Sequence, residues 1–151
     1  MRLSQASDFA FRILMLLESQ AEPITVDEIA KRLRLVKSHV MKIVSKLAKA
    51  GFVTSHRGRS GGVNLGQKAE DISLGAVVRL IENDFAIVGC MQEPAAECVL
   101  TPACKLRGVM VDAQQAFLDV LDNQSLKTIA FNQVDFLNDP AEKSPDKNRG
   151  F

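Results

Sequence analysis

The chain has little cysteine, almost no net charge, and no hydrophobic run clean enough to cross a membrane. Its most apolar stretch, near the N-terminus, is interrupted by Asp8, Arg12 and Glu18 at helical intervals, and no small-residue cleavage site follows. Neither an export signal nor a membrane span is therefore expected, and the compartment is expected to be the reducing cytoplasm. Three cysteines are an odd number, and in that compartment ligands or reactive thiols are a better account of them than a disulfide framework. No two of them stand two to four residues apart, as a structural zinc knuckle needs. No nucleophile is paired with a base, so catalysis is not expected. Low-complexity sequence is nearly absent too, apart from the polar tail from about Asn138; residues 136–151 are expected to be disordered.

What is present bounds the architecture. A chain of 151 residues with 46% apolar content buries one core and is too short for two ordinary domains. Its net charge of +1 conceals an asymmetry: residues 1–68 carry 12 basic against 5 acidic residues, net +7, and 69–151 carry 7 against 13, net −6. The basic half is the candidate phosphate-facing surface.

Ala6, Phe9, Ala10, Ile13, Leu14 and Leu17 recur at three- and four-residue steps, which predicts a helix over about 4–20 with Ser4 as its cap. Pro23 stops it. Thr25 followed by Glu28 reads as a capping box opening a short helix to Leu33, and a tight turn follows over 34–37. Over 38–50, Val40, Ile43, Val44 and Leu47 form an apolar stripe, with His39, Lys42, Lys46 and Lys49 on the opposite side. Gly51 is expected to end that helix. A helix, a short turn and a second helix with a basic outer face fit a recognition helix in a DNA major groove.

Residues 52–55 and 62–65 alternate as two short strands around a loop rich in glycine and arginine. A β-hairpin wing is predicted, with Arg57 and Arg59 reaching phosphate or the minor groove. The loop lacks the lysine–serine ending and the strand-then-helix context of a nucleotide-binding phosphate loop. Ser73 caps a further helix carrying Leu74, Val77, Val78 and Ile81 inward. From Lys105 to Leu121 a broad apolar stripe (Leu106, Val109, Met110, Ala113, Ala116, Phe117, Val120, Leu121) exceeds what a small head can cover, which predicts a dimerisation helix. A short last helix, about 125–131, is expected to pack back on the head.

Between these helices lies an irregular stretch holding Cys90, Cys98 and Cys104, with seven and five residues between successive cysteines. That spacing suits an iron–sulfur cluster, 4Fe–4S or 2Fe–2S, better than a zinc ion. Three thiolates leave either an open iron or a fourth ligand that is not cysteine.

The opening MRLSQASDFAFRIL, the segment KLAKAGFV, the wing RGRSGGVNL, the run DISLGAVVRLIE and the three-cysteine loop together resemble the Rrf2 family of bacterial regulators over about residues 1–135. The likeness is to its nitric-oxide-sensing branch first and to an iron-responsive branch second. It implies a homodimeric repressor on a palindromic double-stranded DNA operator. It further implies a cluster held by Cys90, Cys98 and Cys104, with Asp8 of the partner subunit as fourth ligand. Ser38, His39, Lys42, Lys46, Arg57 and Arg59 are the DNA-contact candidates. Two positions depart from family patterns: Lys37 stands where a capping serine is common, so Ser38 is expected to take the cap. Arg107 stands where one branch has a ligand histidine.

The resulting expectation is a mainly α protein: a winged helix-turn-helix head over 1–83, a cluster loop over 84–104, and a dimerisation helix with the last helix over 105–135. Its function is expected to be repression relieved by nitric oxide. The alternatives are an iron-responsive repressor, a metal-free thiol regulator and, from another class, a small electron-transfer or cluster-carrier protein.

Overall fold

Local capping chemistry sets where the helices start. The computed structural model describes residues 3–56, 58, 61–100 and 103–130; Arg57, Arg59 and the expected disordered tail over 136–151 lie outside the described residues. Helix α1 (Gln5–Glu18) begins where Ser4 Oγ accepts from the Ser7 N–H. It buries Ala10, Ile13, Leu14, Leu16 and Leu17. Helix α2 (Val26–Leu33) begins at Thr25, whose hydroxyl accepts from the Glu28 N–H at 3.1 Å. Only this half of the expected capping box forms. The Glu28 carboxylate turns instead to Arg32 one turn on, at 2.7 Å, a charge-assisted pair stronger than a bond to a neutral amide.

Arg34 closes α2 in the left-handed region, with φ 53, and the Leu35 N–H returns to Ala30 O at 2.9 Å. Helix α3 (Lys37–Lys49) follows with Val36, not Ser38, at the cap position, and no side chain bonds its first N–H groups. The Lys37 ammonium reaches back to Asp27 at 2.7 Å, which draws Lys37 and Ser38 into the first turn. Gly51, at φ 79, then ends α3: its N–H bonds Ala48 O, and the Phe52 N–H bonds Leu47 O at 3.0 Å.

Strands β1 (Val53–Ser55) and β2 (Val63–Leu65) pair antiparallel, Val53 opposite Leu65. Val63 also exchanges both backbone bonds with Ile24, at 2.8 and 3.1 Å, stitching the wing to the α1–α2 connection. Gly62 permits this approach: a Cβ there would lie 3.0 Å from the Pro23 backbone. After a 3-10 turn at Ala69–Asp71, Ser73 caps α4 (Leu74–Ile81), which buries Leu74, Val77, Val78 and Ile81 as their spacing requires.

Helix α5 (Lys105–Asp122) buries Leu118 and contacts α4, with Met110, Gln114, Phe117 and Leu121 half-buried along it. Its other apolar face, with Leu106, Val109, Ala113, Ala116 and Val120, is exposed. Helix α6 (Leu126–Ile129) returns to the head. The Leu126 N–H bonds Ile72 O, the Leu74 N–H bonds Gln124 O, and Leu126 is fully buried in the same core as α1, α2 and α3. Among the described residues no helix is long and apolar enough to cross a membrane.

Candidate nucleic-acid interface and thiol loop

Four apolar side chains, Val40, Ile43, Val44 and Leu47, turn α3 inward and thereby fix what it shows outward. At about 100° per residue, the side opposite Ile43 and Leu47 is a strip of Ser38, Lys42, Ser45 and Lys49, all exposed. His39 and Lys46 are exposed as well, but along the edge facing α1. The His39 ring stacks on Phe9 with centroids 6.2 Å apart, and Lys46 lends its field to Glu82. Met41 occupies the other edge. Reading charges alone missed Ser45 and Met41; projecting the helix from its buried stripe finds them.

The wing arms stay paired beyond the strands. His56 and Gly62 exchange backbone bonds at 2.8 and 3.2 Å, and His56 Nε2 lies 2.8 Å from Asn64 Oδ1. The hairpin thus leads toward the loop of Arg57 and Arg59, whose positions fall outside the described residues.

Where α4 ends, Glu82 joins the head to the cysteine loop. Its Oε1 accepts from the Ser4 N–H at 2.7 Å and from the buried Ser7 hydroxyl at 2.5 Å. Partial burial works to raise the carboxyl, but these bonds and the Lys46 charge outweigh it and hold the group below its ordinary value. No sequence signal marked Glu82, because its partners lie at the far end of the chain.

The loop itself begins two residues later. Gln114 of α5 donates to Phe85 O at 2.7 Å, and the Ala96 N–H bonds Gly89 O at 3.0 Å, so two points of the loop are held. Cys90 lies half-buried in a 3-10 turn (Gly89–Met91), Cys98 is exposed, and half-buried Cys104 is the N-cap of α5; all three are free thiols. The donor set fits an iron–sulfur cluster: soft thiols on one irregular loop, the last at the start of an 18-residue helix, where the helix dipole favours an anion. Asp8 is exposed on the first turn of α1, with both carboxylate oxygens on the Arg12 guanidinium at 2.8 and 3.1 Å. Among the described residues of one chain, no three histidine, cysteine or acidic side chains converge on an ion. The thiols and Asp8 are not brought together within a single copy.

A helix-turn-helix with a basic outer face, followed by a hairpin wing tied to its base, defines a winged helix-turn-helix DNA-binding protein. Comparison with known proteins narrows the class. Residues 3–132 match the family Rrf2, described as "Iron-dependent Transcriptional regulator". The HTH-type transcriptional regulator NsrR of Bacillus licheniformis is 38% identical over 135 residues, covering 88% of this chain and 94% of that protein. The regulator of the same name from Bacillus subtilis is 37% identical over 139 residues, covering 91% and 95%. Among solved structures, CymR, "the Global Cysteine Regulator of B. subtilis", superposes with a TM-score of 0.71 at 25% identity, covering 86% of this chain and 96% of that one. The chain belongs to the Rrf2 family of transcription regulators.

Proposed function

We propose that the chain is a homodimeric repressor that senses nitric oxide through an iron–sulfur cluster held by Cys90, Cys98 and Cys104, with Asp8 of the partner subunit as fourth ligand. The observation that carries this is the placement of three free thiols on a loop bounded by Glu82, which is hydrogen-bonded to the head, and by Cys104, which starts α5. A group that fastens this loop acts between the DNA-binding head and the long helix. The similarity to regulators named NsrR supports the sensing role. When bound, the cluster would supply iron that reacts with nitric oxide.

The chain's own residues do the rest. Lys42 and Lys49 face phosphate, with Lys46 and His39 beside them and Ser38 toward the base edges; Arg57 and Arg59 extend the contact from the wing. The exposed apolar face of α5 provides an isologous seam for a second copy, and that two-fold symmetry calls for a palindromic operator. Glu82 and Gln114 hold the N-terminal end of the loop in place. The compartment is the cytoplasm.

Anaerobic operator binding, titrated separately with nitric oxide, oxygen and an iron chelator, tests this function. Nitric oxide should release the DNA while a brief chelator treatment leaves it bound. Release by chelator with no effect of nitric oxide would favour an iron-responsive repressor. The seven-residue gap between Cys90 and Cys98 and the family's description as iron-dependent support that second reading. An electron-transfer or carrier protein would give no salt-dependent gel shift, and a metal-free thiol regulator would purify anaerobically without visible absorption.

A further inference from the structure

We propose that Val36 and Met41 read thymine, by packing against its 5-methyl group in the major groove; the inference deepens the DNA-binding reading and rests on it. Among the described residues of the head, up to the end of α4, these are the two large apolar side chains left exposed, at 62% and 54%. Every other large apolar residue there is buried or half-buried. Both lie at the N-terminal end of α3, the end that a helix-turn-helix presents to base edges.

Each breaks a local rule that the rest of the head obeys. α1, α2 and α4 are capped by the hydroxyls of Ser4, Thr25 and Ser73, whereas α3 starts at a valine, among the poorest cap residues. Met41, itself exposed, borders a shallow groove whose apolar lining is Val26, Val44 and Ala48, with Ser45, Lys49 and Ser55 completing it. Apolar groups placed there against solvent and against capping preference call for a partner with an apolar feature.

The surroundings say which partner. Lys42, Lys46 and Lys49 lie on the same helix, and Ser38 and Ser45 lie between Met41 and the lysines, so the patch is embedded in a surface complementary to phosphate. In a major groove the one apolar group on a base edge is the thymine 5-methyl. A flexible, polarisable methionine adapts to it, and a β-branched valine offers a fixed second contact.

The test uses the full-length protein and a duplex site selected from randomised DNA. Each thymine of the bound half-site is replaced singly by deoxyuridine, which removes the methyl group and nothing else. At one or two positions under the start of α3 the parent should lose about fourfold in affinity, the factor that burying one methyl group gives. Met41→Ala should flatten the penalty at one of these positions and Val36→Ser at the other, while Met41→Leu should keep it. The salt slope of binding should stay unchanged in all three, because neither side chain pairs with phosphate. If deoxyuridine is tolerated everywhere, or if the penalty persists in both Met41→Ala and Val36→Ser, the proposal is overturned; persistence would also mark the patch as a protein-docking surface. Should Met41→Ala fail to fold, Met41→Gln, of equal length but with a polar tip, gives the same comparison. Failure of the parent to bind either selected or unselected DNA would defeat the DNA-binding reading itself, and the proposal with it.

Discussion

The guanidinium of Arg79 grips both oxygens of Asp122, with Nη2 2.7 Å from Oδ2, and fastens α4 to the last residue of α5. The clasp closes directly over Gly75, where any Cβ would overlap the Asp122 carboxylate. Gly75→Ala should therefore push the Asp122 carboxylate aside and release its exposed pair with Arg79, a small loss set against the helix propensity that alanine adds. Asp122→Ala, which removes an exposed ion pair, should shift the midpoint little. The double variant should be no less stable than Gly75→Ala alone, because the alanine has already released that pair. Urea unfolding midpoints check this, and simple additivity of the two single effects would contradict it.

Glu82 makes acid sensitivity predictable. Its folded-state carboxyl lies below the ordinary 4.5, so the stability it contributes is present above that value and is lost as pH falls through the lowered one. Glu82→Ala strands the buried Ser7 hydroxyl and the Ser4 N–H, and should cost about 1–3 kcal/mol at neutral pH. The variant's midpoint should converge on the parent's at low pH. A constant gap from pH 7 down to pH 3 would show that the carboxylate charge has no part in it.

For DNA, the outward strip of α3 ranks its lysines. Lys42 and Lys49 stand on that strip, whereas Lys46 lies on the edge toward Glu82, to which it lends its field. Neutralising Lys42 or Lys49 should flatten the plot of log affinity against log salt by about 0.9 each. Lys46→Ala should lower affinity across sequences with a smaller change of slope. Gel shifts at three or more salt concentrations distinguish the order, and equal slopes for all three would refute it.

Assembly should respond to one face of α5 and not the other. Val109 and Val120, 59% and 63% exposed, lie on the outward face, while Met110 and Phe117 lie half-buried toward the head. A glutamate at Val109 or Val120 should yield a folded monomer, because a charge confined in an apolar seam costs several kcal/mol. A charge at Phe117 should lower the melting temperature as well. Sedimentation with circular dichroism separates these outcomes, and a dimeric Val109→Glu would move the interface elsewhere.

Asp8→Ala removes an exposed pair with Arg12 worth about 0.5 kcal/mol, so melting should hardly change. On the proposed ligand set it should keep visible absorption from the three thiolates, with altered circular dichroism and a weaker operator response. Cys98→Ala should lose the absorption. A variant indistinguishable from the parent would reduce Asp8 to a surface charge and favour iron sensing.

Caps and core stripes were legible because they are local. A hydroxyl three residues before an N–H marks Ser4, Thr25 and Ser73, and steps of three and four mark Ile13, Leu14 and Leu17. Features decided by competition between local options read less well: Glu28 prefers Arg32 to its own cap, and Lys37, drawn to Asp27, moves the start of α3 to Val36. Features that need a distant partner could not be read at all. Glu82 meets Ser4 across 78 residues, and Gly75 looks like a weak point in α4 until Asp122 is folded over it. The basic face of α3 was visible as a run of charges, but its centre at Ser45 and its apolar edge at Met41 became visible once the buried stripe fixed the helix rotation.

The return of α6 also governs the order in which the protein is completed. Leu126 fills the core beside α1 and bonds Ile72, so the head is assembled from two stretches separated by the thiol loop and α5. On a ribosome, residues 3–81 emerge first, yet they cannot close around their last apolar side chain until more than 40 further residues have been made. Before that interval ends Cys90, Cys98 and Cys104 have all been synthesised, attached to a head that is still unfinished. A chain stalled after α5 would therefore carry all three thiols on a head whose core still lacks Leu126.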